Sequence, residues 1–288
     1  MKVIKYFLQF LVIMFLFFIF KIIGYKNASR LGSKIGRFFG KLIRSDKVIK
    51  KNVEIIEKNS NISLGDKDEI VKEVFSNYGR ILSEYVFLSE FKNGNLRKYI
   101  DIKGGEYLKE IKSKNKRVIF ISGHFSNFEL MAMFINDAGV NLSAIYRPLN
   151  NFFLNKIMER IRLKHICKNQ IKKGIGGMRK LLNFLKNNYS VALMIDQRVS
   201  EGVKTDLFGY PAYTTTIPGQ IIKKYDCEIV PVYIERYDEI KFKLNIEKPF
   251  KLNNNLSIDE ITLELNKILE KMILNNPSQW ILTHNRWK

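Results

Sequence analysis

The stretch 117-RVIFISGHFSNFEL-130 runs through apolar, β-leaning residues to Ser122-Gly123, then presents His124 and, five residues later, Glu129. Residues five apart share neither one face of a helix, where neighbours sit three or four apart, nor one face of a strand, where the parity is even. The two side chains can therefore meet only if the backbone breaks between them. Such a break is written in: β residues over 117–121, glycine at 123 and helix-compatible residues from Phe128 onward. Ser126 followed three positions later by Glu129 has the form of a capping box, which places the helix start between His124 and Glu129. His124 then lies in the turn at a strand's carboxyl end, facing a helix amino terminus, where α/β proteins commonly bind ligands.

Two readings of the pair stay open at this level. In the first, Glu129 bonds back to the backbone at Ser126 and His124 is a satisfied turn residue. In the second, neutral His124 is a general base and ionised Glu129 orients it; the positive end of a helix dipole favours both protonation states. Such a dyad would take a proton from a hydroxyl attacking an activated carbonyl. No serine or cysteine in the stretch forms a nucleophile elbow, so direct transfer fits better than chemistry through a covalent intermediate.

Outward from this stretch, β-rich runs alternate with helical ones: RVIFIS, LSAIYR, SVALMID, then EIVPVYIER followed by KFKLNIEK. The alternation predicts an α/β fold, a mixed sheet that is parallel at its centre and flanked by helices, with an antiparallel pair over 228–248. Residues 46–100 are helical in pattern, with apolar residues three and four apart. Ser257 with Glu260 predicts a capped closing helix to Leu274. The expected division is a membrane-anchor helix over 1–25, a basic helical segment over 26–100 and an α/β core over 101–288, with 26–288 forming one compact domain.

The anchor reading rests on residues 3–23, apolar except for Lys5, Gln9 and Lys21. That length is about enough for one crossing of a bilayer core needing ~20 residues. A signal peptide is the rival, but Lys21, Lys26, Arg30, Lys34, Arg37 and Arg44 follow instead of a small-residue cleavage site. The heavier basic load after the segment places the rest of the chain in the cytoplasm, on a crossing or a monotopic helix. Gly32, Gly36 and Gly40 then form one stripe of a helix whose other residues are apolar or basic, suited to a membrane interface or to close packing inside the fold.

The chain carries 49 Lys and Arg against 28 Asp and Glu, a formal net charge of +21, which favours an anionic partner. Cys167 and Cys227 have neither metal-site spacing nor a paired pattern. Arg147 ends a strand at Pro148, and Arg160 and Arg162 follow on a helix; each could hold phosphate or an oxyanion, or be a solvated cation. Asp196-Gln197-Arg198 closes another strand, where Asp196 either orders a basic partner such as Arg162 or caps a loop. Pro211, Tyr213, Thr214 and Thr215 either contact substrate or start the next helix. His165 takes no role, His284 reads as surface or packing, and the two Trp residues read equally as core or interface.

The blocks GHFSNFE, IYRPLNN, IDQR with FGYPAYTTT, and PSQWILTHNRWK, in this order behind an apolar amino end, resemble the bacterial lipid A biosynthesis late acyltransferases, within the wider glycerolipid acyltransferase fold. The resemblance spans nearly the whole chain. It implies transfer of a fatty acyl chain from an acyl carrier protein thioester to a hydroxyl of a lipid A precursor at the cytoplasmic face of the cell inner membrane, with no metal or cofactor. By resemblance His124 is the base and Glu129 its partner. Arg147, Arg162, Asp196 and Asn127 are the candidates for binding substrate or oxyanion. Ser126 stands where the family often has glycine, Phe128 where it often has tryptophan, and Asn285 where arginine is common. The basic charge would then serve an anionic glycolipid acceptor, an acidic carrier protein and the membrane surface. Two rivals remain: an acyltransferase of the same fold acting on another glycolipid or a glycerol phosphate lipid, and a non-enzymatic basic membrane-bound protein. No nucleic-acid-binding module is present.

Overall fold

The computed structural model describes residues 2–60 and 62–288. The amino-terminal third is helical: α1 (Lys2–Ile43), α2 (Lys47–Ser60), α3 (Lys67–Glu84) and the short α4 (Leu88–Asn93). Then come β1 (Ile100–Lys103), α5 (Gly105–Ser113), β2 (Val118–Ser122), α6 (Glu129–Asp137), β3 (Leu142–Tyr146) and α7 (Phe152–Ile161). The remainder is β4 (Gln170–Lys172), α8 (Ile175–Lys186), β5 (Ser190–Met194), the hairpin β6 (Val203–Leu207) and β7 (Tyr210–Thr214), α9 (Ile217–Tyr225), β8 (Glu228–Tyr237), β9 (Lys241–Ile246) and α10 (Ile258–Asn275).

Seven strands form one sheet in the order β1-β9-β8-β2-β5-β3-β4. Every neighbouring pair is parallel except β8 with β9, the antiparallel pair expected over 228–248. All five residues of β2 are buried, as a central strand covered by helices on both faces requires. The short strands β1 and β4 and the β6–β7 hairpin were not legible as strands in the sequence. The hairpin absorbs Pro211, Tyr213 and Thr214, which therefore do not start the next helix. The capping box at Ser257 and Glu260 forms, with Ser257 Oγ accepting the Glu260 N–H and Glu260 accepting the Ser257 N–H.

Among the described residues, α1 is the one helix long and apolar enough to cross a membrane, judged by length and composition. Gly24 breaks it at φ 76° and ψ 163°, a conformation that glycine adopts at little cost and other residues do not. Beyond the break the glycine stripe packs on α3. A Cβ at Gly36 would lie 2.0 Å from the Phe75 carbonyl oxygen, and one at Gly79 would lie 1.9 Å from the Gly32 oxygen. The two helices thus touch backbone to backbone, which only glycine permits. The close-packing reading of this helix thus holds, and away from the glycine stripe Phe38, Leu42 and Ile43 are left exposed.

Candidate active site

Parallel register builds the centre of the site. β2 and β5 are neighbours, with Ser122 level with Met194. His124 and Asp196 each lie two positions beyond that pair, so both emerge side by side at the strands' carboxyl ends. Asp196 Oδ1 accepts the His124 Nδ1–H at 2.8 Å, and Oδ2 accepts the His124 backbone N–H at 2.7 Å. The indole N–H of Trp280 donates to the same Oδ2 at 2.9 Å. A Cβ at Gly123 would stand 3.1 Å from Oδ2, so glycine there lets the carboxylate close on the turn.

Asp196 is fully buried. Burial alone would raise its pKa, but the His124 charge and the hydrogen bonds from His124 and Trp280 hold it below the usual carboxylate value. Burial likewise pulls His124 down, and the charge and hydrogen bond of Asp196 more than reverse this, leaving the imidazole above its ordinary value. With Nδ1–H committed to Asp196, the neutral tautomer leaves the Nε2 lone pair without a partner among the described residues. The ring meets Phe128 edge to face at 4.8 Å and keeps a fifth of its side chain exposed.

Glu129 is tied elsewhere. Its Oε1 accepts from Arg162 Nε at 2.8 Å and Nη2 at 2.5 Å, and from the Tyr85 hydroxyl at 3.2 Å. No hydrogen bond joins it to His124 among the described residues. Two of the open readings are thus crossed: Asp196, read either as ordering Arg162 or as capping a loop, holds His124, and Glu129, read either as orienting His124 or as a helix cap, holds Arg162. Glu129 still stands near enough for its charge to favour the protonated imidazole. Burial works against the Arg162 charge and Glu129 more than restores it, so that guanidinium keeps its proton more tightly than usual. Arg162 Nη1 is buried without a hydrogen-bond partner, and the guanidinium lies over the Tyr146 ring.

The capping box expected at Ser126 and Glu129 does not form. Phe128 occupies the N-cap of α6 with no side-chain cap, and Ser126 takes the left-handed conformation at φ 42°. Its N–H donates to the Gln279 oxygen at 2.8 Å, beside a bridge between Phe125 and Trp280. The chain's last segment, not the helix's own first turn, holds this loop in place. Glycine adopts such a φ without strain, which explains physically why glycine suits position 126.

The other expected residues divide. Asn127 is buried with its Nδ2 on Glu84 at 3.1 Å, where Glu84 also pairs with Arg236 at 2.6 Å; it anchors the turn to α3 instead of lining the site. Arg147 is exposed just past β3 and forms no ion pair among the described residues. Arg160 is exposed on α7. His284 accepts the Arg198 N–H on Nε2 at 2.9 Å, in keeping with the packing reading.

Trp280, Tyr85 and Arg286 were missed by the sequence reasoning. Arg286 is fully buried, with Nη1 on the Tyr213 oxygen at 2.8 Å and Nη2 on Thr214 Oγ1 at 2.6 Å. Burial lowers its pKa to about 10. The tail is therefore a strap under the site. The signal for the His124–Asp196 contact was present as equal offsets, two residues past VIFIS and two past SVALM; the signal for Trp280 was only its polar-tipped bulk.

A cleft of about 680 Å³ is lined in part by Lys51, Lys58, Lys204, Tyr213 and Trp287 and includes neither His124 nor Glu129. The chemistry-bearing groups converge instead at the carboxyl edge of the parallel strands.

A doubly flanked, mostly parallel sheet carrying a carboxylate-held histidine at its carboxyl edge, behind a helix apolar enough to meet a membrane, defines a class: an α/β protein with an apolar amino-terminal helix. The model of the bacterial lipid A biosynthesis acyltransferase family matches residues 1–288, and the chain belongs to that family. It is similar to the lipid A biosynthesis palmitoleoyltransferase of Escherichia coli (strain K12), 23% identical over 263 residues that cover 90% of this chain and 84% of the relative. The myristoyltransferase of the same organism is 21% identical over 263 residues, covering 87% and 78%. Lipid A biosynthesis acyltransferase 2 of Shigella flexneri is 23% identical over 261 residues, covering 86% and 80%.

Proposed function

We propose that this protein transfers a fatty acyl chain from an acyl carrier protein thioester to a hydroxyl of a lipid A precursor, at the cytoplasmic face of the inner membrane. The observation that carries the reading is His124, whose Nδ1 is held by a buried aspartate while Nε2 stays free. In this reading the acceptor hydroxyl attacks the thioester carbonyl as Nε2 takes its proton. Asp196 keeps the tautomer and stabilises the imidazolium that forms. The tetrahedral oxyanion collapses, the C–S bond breaks, and the thiolate recovers the proton from His124, giving ester and free thiol.

Arg162, fixed by Glu129 and Tyr85 with Nη1 unused, supplies positive charge for the oxyanion. Glu129 acts through Arg162 and through its field at His124 instead of by direct contact. Arg147, exposed just past the end of β3, holds an acceptor phosphate in this reading. The +21 charge suits an acidic carrier protein and an anionic leaflet.

The test is purified protein in detergent with acyl carrier protein thioester and a lipid A precursor, read by mass spectrometry. The expected product is heavier by one acyl group and is lost in His124→Ala. Wild-type turnover in His124→Ala, or transfer to glycerol phosphate lipids but not to lipid A precursors, would overturn the reading.

A further inference from the structure

The membrane attachment carries more than the presence of an apolar helix. A crossing helix sets its two ends on opposite sides of the hydrocarbon, which is ~30 Å thick. From Tyr6 to Gly24, α1 rises about 27 Å, so in a crossing Tyr6 would sit near the far headgroups. The body of the protein could then touch only the near end.

The body instead meets one side of the helix from Tyr6 to Phe20. The Tyr6 carbonyl oxygen accepts a hydrogen bond from Asn151 Nδ2 at 2.8 Å. Phe7 and Phe10 pack on Phe153, with ring centroids 5.4 and 5.8 Å apart. Ile13, Met14 and Leu16 lie against the core, and Phe17 and Phe20 are buried in it. The inward residues Tyr6, Phe10, Ile13, Phe17 and Phe20 recur at alternating spacings of four and three, one stripe of a helix. Asn151 is itself the buried N-cap of α7, accepting from the backbone of Phe153 and Leu154. A crossing would carry this capped helix end to the far side of the membrane with its polar groups in hydrocarbon on the way, which the cost of burying them forbids.

We propose that residues 2–23 lie in the plane of a single leaflet, as a monotopic membrane contact, with the body and both helix ends on one side. The outward face supplies the lipid contact: Val3, Ile4, Leu8, Leu11, Phe15 and Phe18 are exposed. Phe152, exposed beside Tyr6, extends the same patch onto the start of α7, and Leu149, just before that helix, is exposed as well. Lys2 and Lys5 at one end and Lys26 at the other then all sit among headgroups of that leaflet. α7 runs from this patch to Arg162, about 15 Å along its axis, so the Arg162–Glu129 pair stands one short helix from the lipid. The inference rests on the attachment and not on acyl transfer, so the two can fail separately.

Two measurements on the full chain test it. In sealed vesicles with the body facing outward, Lys2→Cys should react with a membrane-impermeant maleimide to the same extent as the exposed body control Lys109→Cys; the native Cys167 and Cys227 are buried. Labelling of Lys2→Cys only after permeabilisation would overturn the proposal. Nitroxides on Ile4→Cys, Leu11→Cys and Phe18→Cys should report one common depth. A profile with Leu11 deepest and the other two shallower would mean a crossing and sink it.

Discussion

Asp196 grips His124 twice, through the ring Nδ1–H at 2.8 Å and through the backbone N–H at 2.7 Å, so one buried carboxylate sets both the tautomer of the imidazole and the place of its turn. Asp196→Asn keeps the shape but removes the charge that stabilises the imidazolium. Turnover should fall on the order of a thousandfold, within the range for a misplaced general base, while circular dichroism of the folded protein stays unchanged. A loss below tenfold would remove Asp196 from the mechanism.

Glu129 and Arg162 form a separate, nearly buried pair, their side chains 8% and 12% exposed. Glu129→Ala strands the Arg162 charge, and folding stability should drop by about 3 kcal/mol. Glu129→Gln with Arg162→Met removes both charges and should recover most of that stability without recovering activity. Denaturant titration of the two variants beside wild type reads the difference.

The raised pKa of His124 gives a direction for the pH profile. The base must be neutral, so kcat/KM should climb with pH through a midpoint above the ordinary imidazole value of 6.5. In Asp196→Asn the charge that raises it is gone and the midpoint should move down. Stability follows the same shifts. His124, raised on folding, contributes fully below the ordinary imidazole value, and that contribution is lost as pH rises through its folded value. Asp196, lowered on folding, contributes above the ordinary carboxyl value and ceases to as pH falls through its folded one. A midpoint at or below the ordinary imidazole value would contradict the geometry.

Ser126 holds a left-handed φ of 42° and a buried hydroxyl without a partner. Ser126→Gly relieves the strain and removes the unsatisfied group, at the expense of a floppier unfolded chain. The net gain should be about 1 kcal/mol, visible as a higher Tm, with His124 still in place.

Gly36→Ala places a methyl 2.0 Å from the Phe75 oxygen, whereas a Cβ at Gly176 in α8 meets nothing within 4 Å. The first should destabilise by about 2 kcal/mol as the helices are forced apart. The second should stabilise by about 0.5 kcal/mol through helix propensity. Thermal melts of the two variants in one detergent compare them directly.

Much of the architecture was readable because its signals are local. The apolar runs at 118–122, 142–146 and 190–194 became parallel strands, and 228–246 became the antiparallel pair, since burial period and β-branched content act within each segment. β1 and β4, of four and three residues, escaped because so short a run carries no period. The hairpin escaped because 203-VKTDL-207 and 210-YPAYT-214 carry too few apolar residues for one to show.

Several residues that gather at the strands' carboxyl ends were legible one by one, and their partnerships were not. Histidine past one strand, aspartate past another, and a glutamate and an arginine on the helices between them could each be picked from residue type and position, but not which pairs with which. Chain proximity suggested Glu129 for His124, five residues away; the sheet chose Asp196, 72 residues away, because β2 and β5 are parallel neighbours in register. The amino acid sequence by itself determined an apolar amino end, an α/β sheet and a histidine at a strand terminus, all set by local chemistry. Which carboxylate meets that histidine, what holds Ser126 in its strained turn, and along which side the apolar helix lies were decided only by tertiary structure, since register and packing join residues that no local pattern relates.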